Sequence, residues 1–438
     1  MPGDLQSDLT PRVVSAPRSR QRGSSIPFWG LMFFTFILFI APQAFIPILQ
    51  PFRIAMLSAG LALVVYVVDR LSHHRPLTST PPAVRLIFAF TLLAAISIPF
   101  AKWPGGAFEA FFNDLLKSVL IFVLVANVLN TIDRMKLMIW SMALWATIMS
   151  WVAIRDFATG NLALQGVRIA GWDSPLAANP NDLALLVNLI LALIIGLSPV
   201  ASKPLAKVCL LGVAALLVVA VISTFSRGGL LTLVTIAMLY LIKRTRDRGL
   251  AMLLFAVGFV PLVAIALPPG YAHRVYSIFD ASADASGSSA VRLNSMALAW
   301  DAILANPVLG VGLKQHGLAF LEATGGWSTW NGVHNVYLEI AADLGIPALF
   351  LYLGANWHLL RSLRRSLRRL NHFRGKKSRE VRELIALGSG IQIALVAFLV
   401  AALFHPVAYN FYFFYIAGFA VAHQTMTERT VRLRMSTP

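Results

Sequence analysis

Gly332-Val-His-Asn-Val-Tyr-Leu-Glu-Ile-Ala-Ala-Asp-Leu-Gly345 closes a long polar loop and opens an apolar run over 334–360. That run exceeds the ~20 residues an α-helix needs to cross a bilayer. A His334-Asn335 pair therefore stands where loop meets membrane helix. Glu339 and Asp343 follow roughly one and two turns into the span. Acids inside a membrane are costly and often functional, so this junction is the first place to look for chemistry.

The rest of the chain is built to the same pattern. Hydrophobic residues make up 58% of the 438 and charged residues 13%, against ~25% charged in a soluble domain. Apolar runs fall at about 28–48, 52–68, 85–101, 116–131, 136–154, 183–200, 206–224, 229–242, 250–267, 334–360, 385–404 and 406–424. These predict an all-α polytopic membrane protein of about 12 transmembrane helices, folded as one unit. A mostly polar segment of about 27 residues precedes the first run and no small-residue cleavage site follows a short apolar core. Residues 1–27 thus read as a disordered tail, not a secretory signal peptide. The single cysteine, Cys209, cannot form a disulfide within the chain and lies in an apolar run unsuited to thiol catalysis.

The basic residues orient the spans. With the N-terminus cytoplasmic, 28 of the 37 Lys and Arg fall on inside segments and nine outside, the bias expected of inside loops. Both termini are then cytoplasmic, with a C-terminal tail over 425–438. The net charge of +18 is topology, not a nucleic-acid footprint. Spans 1–9 occupy 28–267 and spans 10–12 occupy 334–424, with a basic inside loop at 361–383. In that loop Leu363, Leu367 and Leu370 share one helical face among arginines. This is the pattern either of a stop-transfer signal or of an amphipathic helix on anionic lipid. Between spans 9 and 10 lies the large outside loop, 268–333. It contains Pro268-Pro269-Gly270, the low-complexity stretch Asp280–Ser289 and a helical pattern from Val291 to Leu304. Long structured loops in compact chains carry function.

The few outside cations can be weighed singly. Arg227 lies in Ser223-Thr-Phe-Ser-Arg-Gly-Gly229 between two apolar runs with almost no loop to reach water. A guanidinium held there must be paired, with a phosphate it grips bidentately or with an acid such as Asp182. Arg292 opens a helical pattern that ends at Pro307-Val-Leu-Gly-Val-Gly312, where the chain turns back. Arg168 precedes Asn179-Pro-Asn-Asp182, whose Asn181 and Asp182 sit in a helix-capping turn. His334, with an ordinary pKa near neutrality, suits a general base. Glu339 or Asp343 would orient its ring or pair with cations such as Arg227. No Asp-x-Asp, His-Glu-x-x-His or Cys/His cluster occurs, so no metal and no other cofactor is expected.

Taken together these residues resemble the O-antigen ligase and polymerase superfamily. His334-Asn335, then nine residues, then Gly345 is similar to its signature. Ser226-Arg227-Gly228 resembles its earlier motif. Arg292 with Pro307–Gly312 resembles its arginine-bearing periplasmic helix, and Asn179–Ala184 resembles the opening of its sixth span. The resemblance implies a metal-independent, inverting membrane glycosyltransferase of the GT-C type in the bacterial inner membrane, its active site facing the periplasm. The implied donor is a glycan on undecaprenyl diphosphate. Arg227, Arg292 and Arg168 would bind the diphosphate, and His334 would deprotonate or orient the acceptor hydroxyl. Asn335, Glu339, Asp343, Ser226, Asn181 and Asp182 would support them.

Two activities fit that resemblance. A ligase, for lipopolysaccharide biosynthesis, transfers the finished polymer to a lipid A–core sugar; a polymerase uses another lipid-linked repeat as acceptor. The His-Asn-x9-Gly spacing favours the ligase. A third reading from another class, a transporter or flippase, predicts polar groups spread through the bilayer midplane. Here the informative groups crowd one membrane face, which counts against it.

Overall fold

The computed structural model describes residues 25–162, 168–245, 248–259, 261, 271, 276, 288–326, 332–373 and 377–435. Nearly all of the expected N-terminal tail, the Pro268–Gly270 turn, Arg274 and most of the Asp280–Ser289 stretch lie outside these residues. Among the described residues the chain is helical, without strands.

The helices are α1 (Ile26–Ile40), α2 (Ile54–Ser72), α3 (Pro82–Ser97), α4 (Lys117–Val128) and α5 (Ile132–Ala158). Next come α6 (Pro180–Leu197), α7 (Pro204–Ser223), α8 (Arg227–Arg244) and α9 (Arg248–Leu254). The last are α10 (Ser288–Ala305), α11 (His316–Ala323), α12 (Val336–Asn371), α13 (Arg379–Ala401) and α14 (Phe411–Met435). Eight described helical stretches are long and apolar enough to cross a membrane. The expected runs at 28–48, 229–242 and 406–424 also form helices, α1, α8 and α14, but shorter or more polar ones. The run at 250–267 is described as helix only as far as Phe259.

Burial sorts the helices into core and shell. α6 is buried along most of its length, packed by α5, α7, α8 and α13. α6 and α13 cross at Gly196 and Gly390, where a Cβ on either would meet the other's backbone at under 3 Å. Small residues let helices approach this closely in a membrane, where packing rather than the hydrophobic effect holds them together. At the other extreme Leu57, Leu61 and Val64 on α2 and Leu205, Val208 and Leu211 on α7 are exposed. Apolar faces this extensive are covered by lipid in a protein of this composition.

Two boundaries differ from the sequence expectation. α12 continues as helix to Asn371, through a region expected as a basic loop, and α14 runs to Met435 past the boundary expected at 424. Arg, Leu and Met are good helix formers, and α12 gains by burying Leu363, Leu367 and Leu370 in the bundle. The leucine face, which the amphipathic-helix alternative would turn to lipid, therefore packs against protein, and the arginines are exposed.

Candidate active site

His334 precedes α12, on the two residues that enter the helix. Asn335 is the N-cap: its Oδ1 accepts from the backbone N–H of Tyr337 at 2.9 Å and of Leu338 at 3.1 Å. The Val336 N–H donates to the Ala402 carbonyl, and the Tyr337 hydroxyl to the Leu399 carbonyl, tying the start of α12 to the end of α13. His334 Nδ1 lies 2.9 Å from the Gly332 carbonyl oxygen. As that oxygen only accepts, Nδ1 carries the proton in the neutral ring, leaving the Nε2 lone pair for another partner. Burial, the nearby Arg292 charge and His405 push the His334 pKa down to about 4, against the Gly332 carbonyl. The ring is thus neutral at neutral pH.

The second part is the turn between α7 and α8. α7 ends at Ser223, Phe225 takes a left-handed conformation, and Ser226 caps α8 by accepting from the Gly229 N–H at 3.1 Å. Arg227 is therefore the first residue of α8, and it is buried. Arg168 ties this turn to the start of α6. Its Nε donates to the Thr224 carbonyl at 3.0 Å and its guanidinium to Asn181 Oδ1 at 2.8 Å. Asn179, not Asn181 or Asp182, caps α6; its Oδ1 accepts from both N–H groups and its amide donates to Asp182 Oδ2. That leaves Asn181 to hold Arg168.

His405, which the sequence reading passed over, joins the two parts. It follows α13 in the turn Phe404-His405-Pro406. Its Nδ1 lies 3.0 Å from the Ala401 carbonyl and its Nε2 3.2 Å from the Asn181 carbonyl. A neutral ring carries one N–H and donates to only one of them. Burial holds the His405 pKa below its ordinary value, with Arg292 pushing the same way against Asp182 and the two carbonyls. A Cβ on Gly228 would sit 3.2 Å from His405 Cε1, so the Arg227 turn presses directly on this ring. A lone His-Pro after an apolar run carries no sequence signal; only its neighbours single it out.

Glu339 and Asp343 go elsewhere. Asp343 Oδ1 is 2.8 Å from His316 Nδ1, and Asp343 Oδ2 accepts from the Tyr409 hydroxyl at 3.0 Å. Glu339 accepts from the Ala408 N–H at 3.2 Å. Neither orients the His334 ring, whose described side-chain hydrogen bond is to Gly332. Instead Asp343 docks the start of α11 onto α12, and Glu339 holds the segment between α13 and α14. α12 breaks at Gly345, and the turn Pro307–Gly312 fits the break. The Val311 and Gly312 N–H groups donate to the Ala342 and Asp343 carbonyls, and the Ile346 N–H to the Pro307 carbonyl. Lys314 to Asp114 and Lys102 to Glu322 pin the same loop to the segment before α4.

The structure thus gathers His334, Asn335, Arg292, His405, Arg168, Asn181, Asp182, Ser226 and Arg227 around the N-termini of α6, α8 and α12. It sets Glu339 and Asp343 apart. Helix N-termini carry partial positive charge, so three of them beside three arginines make a strongly anion-attracting face. Among the described residues no group of three or more His, Cys, Asp or Glu is placed to hold a metal.

Residues 212–353 match the family model described as O-antigen ligase. The matched region runs from within α7 into α12. It contains Ser226, Arg227, Arg292, His334 and Gly345, while Arg168, Asn181 and His405 lie beyond it. No curated protein matches the chain. The family match supports the O-antigen ligase-like superfamily, and with eight apolar helices of spanning length the chain is a multi-pass membrane protein.

Proposed function

From a chain that carries the O-antigen ligase family's region over residues 212–353, we propose a ligase of twelve spans and GT-C type. It transfers a polysaccharide from undecaprenyl diphosphate to a sugar hydroxyl of lipid A–core, at the periplasmic face of the bacterial inner membrane. Membrane glycosyltransferase chemistry of the ligase or polymerase kind is what the family match supports. The observation that carries the mechanism is the hydrogen bond between His334 Nδ1 and the Gly332 carbonyl. The ring's Nδ1 proton is committed to that carbonyl, and the ring sits within the electrostatic reach of Arg292 and His405.

In this reading the acceptor hydroxyl donates to His334 Nε2. As its oxygen bonds to the anomeric carbon, the proton passes to Nε2 and the bond from that carbon to the diphosphate oxygen breaks with inversion. The leaving diphosphate is a weak base and needs no proton. It needs cations, which Arg227, Arg292 and Arg168 supply with the N-termini of α6 and α8. A ring held at about 4 is a feeble base without donor beside it. The bound diphosphate offsets the Arg292 charge and raises its basicity when the donor is in place. Asn335, by capping α12, sets the direction from which the ring meets the acceptor.

The test is genetic and chemical together. A strain lacking the native copy is complemented with wild type or His334→Ala, and its surface polysaccharide is resolved by gel. The ligase reading expects polymer lost from lipid A–core with full-length chains still on the carrier lipid. Single-repeat products would assign polymerase activity instead, and unchanged glycans in a normally expressed His334→Ala strain would remove His334 from the chemistry.

A further inference from the structure

The strongest basic feature of the chain lies at the opposite end of α12 from His334, and the donor chemistry does not use it. Beyond its break at Gly345, α12 runs on as helix from Ile346 to Asn371, about 39 Å against a hydrocarbon core of about 30 Å. His358 lies about 18 Å along this part from Ile346, on the side away from His334. Beyond that point Arg361, Arg365 and Arg369 repeat every fourth residue, so they stack on one face, each about 6 Å above the last.

This face opens on a recess of about 110 Å³. The three arginines line it together with His358, Ser362 and Ser366. The start of α3 at Pro82 closes one side, and Gln424 and Glu428 of α14 close another. Glu428 is the one acid in the lining, and its Oε1 accepts from Gln424. No described ion pair or side-chain hydrogen bond engages the guanidinium of Arg361, Arg365 or Arg369. Three guanidiniums against one carboxylate leave the recess with an excess of two positive charges. A stop-transfer signal requires basic residues but no alignment into a concave wall formed by three helices.

We propose that this recess binds a phosphate-bearing anion on the face of the membrane opposite His334. The guanidiniums supply planar donor forks matched to phosphate oxygens. Ser362 and Ser366 lie between successive arginines, where hydroxyls reach the same oxygens. Arg361, nearest the headgroup level, meets the phosphate of an anionic phospholipid whose acyl chains run along the apolar stretch of α12. A soluble phosphate or diphosphate would enter from the aqueous side, toward Arg369. The site is independent of the glycosyl transfer proposed above.

The test uses the purified full-length protein in a neutral detergent, with adducts counted by native mass spectrometry. One arm titrates short-chain phosphatidylglycerol against phosphatidylcholine, the other inorganic pyrophosphate. The wild type is expected to retain phosphatidylglycerol selectively if the ligand is a headgroup, or pyrophosphate without lipid selectivity if it is soluble. Arg361→Gln/Arg365→Gln/Arg369→Gln should weaken that binding by about fivefold for each arginine removed. Arg364→Gln/Arg368→Gln removes exposed arginines that do not line the recess, and should weaken it far less. If the triple variant fails to fold, Arg361→Lys/Arg365→Lys/Arg369→Lys keeps the charge needed for insertion but removes the forks, and is expected to bind several-fold more weakly. Equal losses in the two Gln variants, wild-type binding by the Lys variant, or no anion retained by the wild type would each overturn the proposal.

Discussion

His316 Nδ1 lies 2.8 Å from Oδ1 of Asp343, a carboxylate with no exposed surface that stands 27 residues away in sequence. Burial alone would lower the His316 pKa. The charge and hydrogen bond of Asp343, with Glu339 behind it, overcome that and the opposing Lys314 to raise it to about 9. The His316–Asp343 pair therefore latches the start of α11 onto the membrane helix.

The sign of the pH dependence follows. The folded-state pKa of His316 lies above the unfolded value of 6.5. The stabilisation is thus complete below that value and is lost as pH rises through about 9. A shift of this size corresponds to ~3 kcal/mol as an order of magnitude. Thermal melts of wild type and His316→Gln between pH 6 and 10 should converge at the alkaline end. Parallel melting curves across that range would show that the pair carries no such stability.

Gly345 has φ of 83°, and a Cβ there would collide with the Val308 carbonyl. Gly345→Ala should therefore cost about 1–3 kcal/mol in backbone strain and loosen the Pro307–Gly312 turn, seen as a lower Tm and faster proteolysis of the outer loop. Gly212→Ala is the matched control. Its Cβ would enter open space on a helical backbone, so it should be neutral or gain up to about 1 kcal/mol. Equal melts for the two variants would mean that the break in α12 does not need glycine.

Burial and the Arg292 charge hold the His334 pKa down to about 4 in the absence of donor. Because kcat/KM reports the free enzyme, it should be flat through neutrality and fall only as pH drops toward about 4. In kcat the same ionisation should appear at higher pH, since the bound diphosphate raises it. His334→Ala should reduce transfer by about 10²–10⁴-fold. An acid limb near 6.5 in kcat/KM, the value of an unperturbed histidine, would contradict the buried neutral ring.

Arg227→Lys retains the charge and removes the fork. Loss of one charge-assisted hydrogen bond, about 1.5–3 kcal/mol, should weaken donor binding by roughly ten- to a hundredfold. Arg168→Lys tests the link between the two parts, because Arg168 spans two partners, the Thr224 carbonyl and Asn181 Oδ1, that one ammonium cannot reach together. Its expected signature is a lower Tm as well as weaker donor binding. A wild-type Kd for Arg227→Lys would eliminate bidentate recognition at that position.

Much of this protein is legible before any coordinates. Apolar runs of bilayer length are local properties, and each of the twelve coincides with described helix over at least part of its length. The helix-capping turn at Asn179–Asp182 is local too, although the cap is Asn179 and not Asn181 or Asp182. His334, Arg227, Arg292 and Arg168 stand out because a cation or histidine in so apolar a chain has few ordinary explanations.

Partnership is not local, and the tertiary structure alone decided it. Asp343 lies two turns beyond His334 on the same helix, yet it serves His316, because the break at Gly345 brings the outer loop against that stretch of α12. His405 lies in a short turn with no motif around it, yet it touches Asn181, which is 224 residues earlier, and abuts the Arg227 turn. The sequence by itself determined that this is a multi-span membrane protein. Hydropathy and charge suffice for that, because the bilayer imposes them segment by segment. Which acid meets which base was decided by helix packing, since the energy of a buried pair depends on ångström-scale distances between residues that only the folded bundle brings together.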